Sequence, residues 1–228
     1  MRHFRLLGVL IAVAALSACD MAGNGDITAT EHGASTVNGS VRVPAGMHAG
    51  AVGTVNGSIT VEDNATVASA STVNGSIGMG AKTSADSLSA VNGGVTLGAD
   101  AHVGGKVTSV NGAMNLHSGA EVGGELRNVN GHITLSGAHV GGGIRTVGGD
   151  IDIDGPSRVE GGIHVEKSGG WFNFETHKPR IVIGPGAVVQ GELRFDREVH
   201  LYVSDKATVG AVTGAAAVKF SGDQPPAG

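Results

Sequence analysis

Three aspartates at alternate positions form the most chemically suggestive cluster in the sequence. The segment DIDIDG (residues 150–155) contains Asp150, Asp152 and Asp154, at the spacing found in the acidic half of a calcium-binding loop. Such a loop needs a Glu at its twelfth position, where this chain has Gly161. The segment therefore predicts either a weak calcium site or an acidic edge that stays in water.

A second cluster depends on a repeat of 18 or 19 residues. His102, Glu121 and His139 are 19 and 18 residues apart, so stacked repeat units would place them in one outward column. Imidazole and carboxylate groups are zinc ligands, but single side chains on a flat surface lack the surrounding shell of a metal site. We expect a surface column here and no bound cofactor.

Motifs for catalysis are missing from the sequence. The chain has no G-x-S-x-G, no phosphate-binding loop and a single cysteine, Cys19. Arg145 and Arg158 lie near the three aspartates Asp150, Asp152 and Asp154 (the Asp row), and this group resembles a crude polysaccharide lyase site. The resemblance would make the chain a polysaccharide-active β-helix enzyme. Such enzymes need long loops around a cleft, whereas the turns predicted here are short. We therefore expect a protein that is not an enzyme.

The amino-terminal residues have the organisation of a secretory signal peptide. Two arginines, Arg2 and Arg5, precede an apolar run over residues 6–16, which is too short to span a bilayer. The following Leu-Ser-Ala-Cys resembles the lipobox of bacterial lipoproteins. The resemblance implies cleavage before Cys19 and acylation of that residue, which would anchor the chain in a membrane. Residues 1–18 are then the signal peptide and residues 19–34 a lipidated tether.

The lipobox also implies a location and a set of partners. A lipid-anchored, periplasm-facing protein of the bacterial cell envelope is expected. Asp20 resembles an inner-membrane retention signal and favours the inner over the outer membrane. The net charge of −5 becomes −7 when Arg2 and Arg5 leave with the signal peptide, and an acidic chain is not expected to bind nucleic acid.

The sequence Val-Asn-Gly recurs with a fixed period, which predicts the elements that position these residues. It begins at Val37, Val55, Val73, Val91, Val110 and Val129, with a degenerate Val-Gly-Gly at Val147. A period of this length indicates stacked units, and apolar residues alternate within each unit as they do in strands. The predicted fold is all-β: a single-chain parallel β-helix (β-solenoid) of 18–19 residues per turn, right-handed, with three short strands per turn.

The Asn-Gly dipeptide predicts a corner in each turn. Asn tolerates the left-handed backbone region and Gly adopts it freely, and we expect the preceding Val to point inward. Stacked corners would align the side-chain amides in a structural ladder. Its members are Asn38, Asn56, Asn74, Asn92, Asn111 and Asn130. The alternative is a row of amides that binds a ligand.

The character of the sequence changes after the regular repeat, which covers residues 35–165. Residues 166–178 form an aromatic insertion, residues 179–220 irregular carboxyl-terminal turns or a cap, and residues 221–228 a disordered tail. Most of the aromatic side chains lie in these parts. Trp171, Phe172, Phe174, Phe195 and Tyr202 predict either a bulky cap or a contact surface for a partner or for assembly.

Two family resemblances cover residues 35–220. The TVNGSV and TVNGSI phrases at 18-residue spacing resemble bacterial adhesin-type β-solenoid domains. The segments IVIGPGAVVQGELRF and VHLYVSDKATVG resemble the polymer-forming bactofilin family, whose members are right-handed β-helices that assemble end to end. The second resemblance implies a structural scaffold that self-associates end to end. The alternative function is an adhesin-like module that binds glycan, peptidoglycan or an envelope protein.

Replacing Cys19 with Ser tests the lipid anchor. The substitution removes the thiol that would be acylated, so we expect loss of fatty-acid labelling and a shift of the protein from the membrane to the soluble fraction. Labelling with a radioactive fatty acid, followed by fractionation, measures both. Ser17→Ala, which keeps a small residue beside the cleavage site, is expected to remain labelled. Labelling that persists in Cys19→Ser contradicts the anchor.

Overall fold

The computed structural model describes residues 21–167 and 177–226, and every regular element in this part of the chain is a β-strand. The strands coil into about 10 turns of a β-solenoid with about 18 residues in each turn. Strands of successive turns pair in parallel. The predicted all-β solenoid is therefore confirmed.

The described residues contain 28 strands. They are β1 (Met21–Asn24), β2 (Ile27–Thr28), β3 (Ala34–Asn38), β4 (Val41–Val43), β5 (His48–Asn56), β6 (Ile59–Val61), β7 (Thr66–Asn74), β8 (Ile77–Met79), β9 (Ser84–Ala90), β10 (Val95–Leu97), β11 (His102–Val103), β12 (Val107–Asn111), β13 (Met114–Leu116), β14 (Glu121–Val122), β15 (Leu126–Asn130), β16 (Ile133–Ser136), β17 (His139–Val140), β18 (Ile144–Thr146), β19 (Ile151–Asp154), β20 (Arg158–Val159), β21 (Ile163–Val165), β22 (Arg180–Ile183), β23 (Val188–Val189), β24 (Leu193–Phe195), β25 (His200–Ser204), β26 (Thr208–Val209), β27 (Val212–Thr213) and β28 (Ala217–Phe220).

Each turn contributes to three faces of the solenoid. Face 1 is an 11-stranded sheet of β2, β4, β6, β8, β10, β13, β16, β19, β22, β25 and β28. Faces 2 and 3 belong to one 17-stranded sheet. Face 2 contains the first halves of β5, β7 and β9, followed by β11, β14, β17, β20, β23 and β26. Face 3 contains β1, β3, the second halves of β5, β7 and β9, and then β12, β15, β18, β21, β24 and β27.

The number of strands per turn changes along the chain. From β10 onward each turn has three short strands, as the repeat predicts. In β5, β7 and β9 the strands of faces 2 and 3 run together without a break. The later turns carry glycine pairs at this point, such as Gly104-Gly105 and Gly123-Gly124. Glycine weakens a strand and permits a bend, so the paired glycines divide one strand into two.

Register places like residues over like residues in the core. On face 1 the paired inward column comprises Val41, Ile59, Ile77, Val95, Met114, Ile133, Ile151, Ile181 and Leu201. These side chains are at most 1% exposed. Parallel in-register stacking keeps each column apolar, so one buried core extends along the described turns.

The inward position before each corner is not the Val predicted from the repeat. Thr36, Thr54 and Thr72 are buried, whereas Val37 is 42% exposed and the Val of the later corners is half-buried. The expected inward Val is therefore wrong. Alternation in β5 places Thr54 inside, and the corner then breaks the alternation, so that Ile59 is inward again. Counting back from Ile59 in steps of two, without allowing for the corner, would wrongly place Val55 inside.

Paired strands begin before the regular repeat and continue beyond the insertion. Within the range predicted as a tether (19–34), β1 pairs with β3 and β2 pairs with β4. At the other end, β19 pairs in register with β22, although residues 166–178 separate their turns. The strands on either side of residues 166–178 therefore keep the register of the earlier turns.

The glycine of each Asn-Gly corner lies against the corner of the preceding turn. A Cβ on Gly75 would lie under 3.0 Å from the carbonyl oxygen of Gly57, and Gly57 and Gly93 have equivalent contacts. Real Cβ atoms do not occupy such positions, so only glycine lets successive corners stack at strand spacing. This contact explains why the dipeptide recurs without substitution of its glycine.

Two alanine substitutions in the same turn test this constraint. Gly75→Ala forces a Cβ against the Gly57 carbonyl and is expected to cost about 1–3 kcal/mol of unfolding free energy, as overpacking does. Gly78→Ala is the control, because a Cβ there meets nothing within 4 Å. It is expected to leave stability unchanged or slightly higher. Urea denaturation followed by circular dichroism measures both, and equal effects would contradict the role of corner stacking.

Candidate functional site

The side-chain amides of the corners form a continuous hydrogen-bonded ladder. The Nδ2 of each Asn donates to the Oδ1 of the Asn one turn earlier. The donor–acceptor pairs are Asn38–Asn24 (2.8 Å), Asn56–Asn38 (2.8 Å), Asn74–Asn56 (2.9 Å), Asn92–Asn74 (3.0 Å), Asn111–Asn92 (3.0 Å) and Asn130–Asn111 (3.2 Å). The ladder contains the six predicted residues and begins one turn earlier, at Asn24. Because the amides bond to one another, the geometry favours a corner element over a ligand row.

A second ladder of buried polar groups lies inside the same corner and was missed by the sequence analysis. At five of the six Val-Asn-Gly corners, the side chain two positions before the corner Asn donates to the glycine carbonyl of the preceding corner; the exception is Ala90, before Asn92. The pairs are Thr36–Gly25 (3.2 Å), Thr54–Gly39 (2.8 Å), Thr72–Gly57 (2.9 Å), Ser109–Gly93 (3.0 Å) and Asn128–Gly112 (2.8 Å). All five donors are buried, and each satisfies a backbone carbonyl. In the sequence, three of these donors are visible as the Thr that opens each TVNG phrase.

Asp152 and Asp154 lie in β19 on face 1 and Asp150 directly precedes this strand. Two of the three carboxylates contact a histidine. Asp150 Oδ1 lies 2.9 Å from His177 Nε2 and accepts the Arg180 backbone N–H at 2.8 Å. Asp152 Oδ2 lies 2.9 Å from His132 Nε2. Among the described residues there is no group of three His, Cys, Asp or Glu that could hold a metal ion. The geometry supports the acidic edge over the calcium site.

The third carboxylate of the row, Asp154, has no side-chain hydrogen bond to any described residue. Burial, and then the negative charge of Asp152, raise the pKa of Asp154 above its ordinary value. The ionised form is therefore disfavoured in the folded chain. A group with a raised carboxyl pKa stabilises the fold only while it is protonated, and this contribution is lost as the pH rises through the folded pKa.

The outward column of His102, Glu121 and His139 forms on face 2, with the Glu121 carboxylate between the two imidazoles. The three residues stack in register in β11, β14 and β17. The Glu121 carboxylate lies 3.3 Å from Nδ1 of His102 and 3.5 Å from Nδ1 of His139. Their side chains are 38–49% exposed. This open column has no enclosing shell, which agrees with the expected surface role.

The lyase-like group of Arg145, Arg158 and the Asp row is not brought together. Arg145 lies on face 3 and Arg158 on face 2, whereas Asp152 projects from face 1. Residues close in sequence occupy different faces because each turn passes through all three. The sequence proximity that motivated this alternative therefore does not produce a site.

Two of the five aromatic residues that were predicted to form a contact surface are buried instead. Phe195 is 4% exposed and belongs to the main core, and Tyr202 is 7% exposed in a separate cluster with Val182 and Phe220. Bulky interior packing, as in the cap alternative, accounts for both. The other three predicted residues, Trp171, Phe172 and Phe174, lie outside the described residues, as does Cys19.

A basic column on face 3 is the main polar feature that the sequence analysis missed. Outward positions that carry Ser89 and Thr108 in earlier turns carry Arg127, Arg145, His164 and Arg194 in register in later turns. Four basic side chains therefore stack on adjacent turns, about 4.8 Å apart. Arg127, Arg145 and His164 follow the repeat period, whereas Arg194 joins the column only through the register across residues 166–178.

Carboxylates from the neighbouring positions neutralise part of this column. Arg145 bonds Glu125 at 2.8 Å and Glu166 at 2.9 Å. Burial opposes the charge of Arg145, but the hydrogen bonds that Arg145 donates to Glu166 and Glu125 outweigh it and raise the pKa of Arg145. Asp196 accepts from His164 at 2.8 Å and from Arg194 at 2.9 Å. These bonds, with His164 first, lower the pKa of Asp196.

The basic column borders a cleft of ≈ 260 Å³. Its polar walls are the side chains of Glu125, Arg145, His164, Glu192 and Arg194, and its floor includes Gly143, Gly161 and Gly162. Glycines leave this floor without side chains. The cleft is thus a mixed-charge binding surface that offers hydrogen-bond donors, acceptors and exposed main chain.

The last turn leaves part of the core uncovered. Among the described strands, β26, β27 and β28 pair only with the preceding turn. Ala217 and Lys219 continue the columns of Leu201 and Val203, which are 1% and 0% exposed, yet both are themselves exposed. Val218 beside them is 49% exposed. The interior of the solenoid therefore opens outward at its carboxyl-terminal end.

No protein-family model, curated protein or solved structure matches this chain. The solenoid itself is shown, whereas neither resemblance noted in the sequence, to adhesin-type domains or to bactofilins, gains support. Within the residues described, no helix is long and apolar enough to cross a membrane.

Asp154→Asn tests the electrostatic cost of the acidic edge. The variant removes a charge that burial disfavours, so we expect a higher melting temperature than wild type at pH 7. The difference should shrink as the pH falls through the raised pKa of Asp154, and vanish below about pH 3.9, where the carboxyl is neutral in both states.

Asp86→Asn is the matched control for Asp154→Asn. Asp86 is exposed, and its side chain has no hydrogen bond or ion pair among the described residues, so its replacement is expected to change the melting temperature little. Scanning calorimetry from pH 3 to pH 7 compares the two variants with the wild type. A destabilised Asp154→Asn at pH 7 would show that the carboxylate is favourable.

Proposed function

We propose that this chain is a non-enzymatic structural scaffold of the bacterial cell envelope, anchored by lipid at Cys19. The β-solenoid gives a rod of stacked turns with one continuous core. The acidic net charge argues against a nucleic acid partner. The lipobox resemblance supports the anchor, and the described faces offer ion pairs and hydrogen bonds suited to contact with other molecules.

We further propose that the scaffold self-associates through its carboxyl-terminal end. The observation that carries this proposal is the exposure of Ala217 and Val218 on β28, whose outer edge has no paired strand among those described. Unpaired parallel edges over an apolar interior are sites where another chain can add. A second copy stacked on this end would cover the open columns and continue the hydrogen bonding.

Lys219 limits how strong such an association can be. It occupies an inward column above Val203, and inward charges on edge strands are a common defence against unwanted pairing. Its ammonium must stay hydrated or find a carboxylate when a second copy covers the end. We therefore infer a weak, concentration-dependent association.

Sedimentation velocity with negative-stain microscopy, on the chain from Asp20 onward, tests the scaffold. Wild type is expected to grow in size with concentration. Ala217→Glu places a charge over the open core and is expected to leave monomers, whereas Lys219→Met removes the inward charge and is expected to shift assembly to concentrations lower by about tenfold or more. A wild-type chain that remains a monomeric rod throughout contradicts self-association.

Ala68→Glu is the matched control for the end variant. Ala68 is an exposed alanine in β7, in the middle of the regular repeat. The same charge is added there without touching the open end, so assembly should match that of the wild type. If Ala68→Glu and Ala217→Glu reduce assembly equally, association depends on overall charge and not on the carboxyl-terminal end.

A further inference from the structure

Three carboxylates pair with the four basic side chains of the column on face 3. Arg127, Arg145, His164 and Arg194 are served by Glu125, Glu166 and Asp196. Asp196 is shared by His164 and Arg194, and Glu166 is shared by Arg127 at 3.8 Å and Arg145 at 2.9 Å. Because two of the carboxylates are shared, some donors of the column are left without an acceptor.

Arg194 is the member of the column with free hydrogen-bonding capacity. Its Nε donates to Asp196, whereas its two Nη groups have no partner among the described residues. The side chain is 58% exposed and lines the cleft. A guanidinium with free Nη groups can bind a carboxylate in bidentate fashion.

The floor of the cleft adds main-chain donors. The N–H groups of Gly143 and Gly162 have no acceptor among the described residues, and Gly162 is buried. A Cβ at Gly162 would collide with the main chain of Glu192, so this position of the floor must be glycine. Buried N–H groups are normally bonded, which makes an oxygen-bearing ligand a suitable partner.

The carboxylates of Glu125 and Glu192 add hydrogen-bond acceptors to the cleft. Glu125 uses Oε1 for Arg145, and Glu192 uses Oε1 for the Thr213 hydroxyl at 2.7 Å. One oxygen of each carboxylate is left without a partner among the described residues. Two separate single acceptors suit hydroxyl groups, whereas an ammonium group presents three donors that need acceptors close together.

We propose that this cleft binds a carboxylated sugar of the uronic acid type. The sugar carboxylate bonds Arg194 and the glycine N–H groups, and its ring hydroxyls donate to Glu125 and Glu192. The volume of ≈ 260 Å³ lies just below the usual range for drug-sized ligands, which suits one sugar unit. This binding needs only one copy of the chain and does not depend on assembly at the carboxyl-terminal end.

Isothermal titration calorimetry and amide NMR of the chain from Asp20 onward test the proposal, with galacturonic acid as the probe. We expect saturable binding with shifts at the Gly143 and Gly162 amides. Galactose, which has the hydroxyls without the carboxylate, is expected to bind at least about tenfold more weakly, as loss of a charged hydrogen bond predicts. Arg194→Gln should weaken galacturonic acid binding by a similar factor.

Arg158→Gln provides the matched control. Arg158 also directs its Nε toward a carboxylate two residues later, Glu160, at 3.5 Å, but it lies on face 2 outside the cleft. Its loss should leave galacturonic acid binding unchanged. Absence of saturable binding, equal losses in both Arg variants, or tighter binding of glutamate than of galacturonic acid would each overturn the proposal.

Discussion

Stacking of each corner directly on the corner before it is the constraint from which the rest of this structure follows. Strands of neighbouring turns can pair only if the corners repeat at the same spacing of about 4.8 Å. That spacing excludes a Cβ at Gly57, Gly75 and Gly93. It also brings each side-chain amide within bonding distance of the next. The repeated phrase is thus the chemical description of one corner.

The corner satisfies its polar groups on both sides of the chain. Outside, the Asn amides bond one another; inside, the buried Thr54 and Thr72 donate their hydroxyls to glycine carbonyls of the preceding corner. A buried polar group without a partner costs about 1–3 kcal/mol, so this inner ladder lets small residues replace large apolar ones beside the corner. The low aromatic content of 3% is compatible with a stable core for this reason.

The period of the repeat was enough to predict the fold, the face 1 column and the Asn ladder, because each depends on residues one turn apart. The prediction for Val37 failed because the corner changes the phase of strand alternation, which a count along the sequence does not reveal. Only part of the basic column follows from the period, because Arg127, Arg145 and His164 lie one repeat apart. Arg194 joins His164 because β21 and β24 pair in register although residues 166–178 lie between them in the sequence. Charge partners on outward faces thus depend on three-dimensional register, whereas core positions depend mostly on period.

The direction of the hydrogen bonds has a mechanical consequence. In a solenoid the main-chain bonds between turns lie along the axis of the rod, so a force applied between its two ends loads the turns in series. The turn at the end would detach first, and each detached turn would release 18 residues, or about 60 Å of extended chain, in place of about 5 Å of rod. Such a molecule lengthens stepwise under tension and limits the force that it transmits between its two ends.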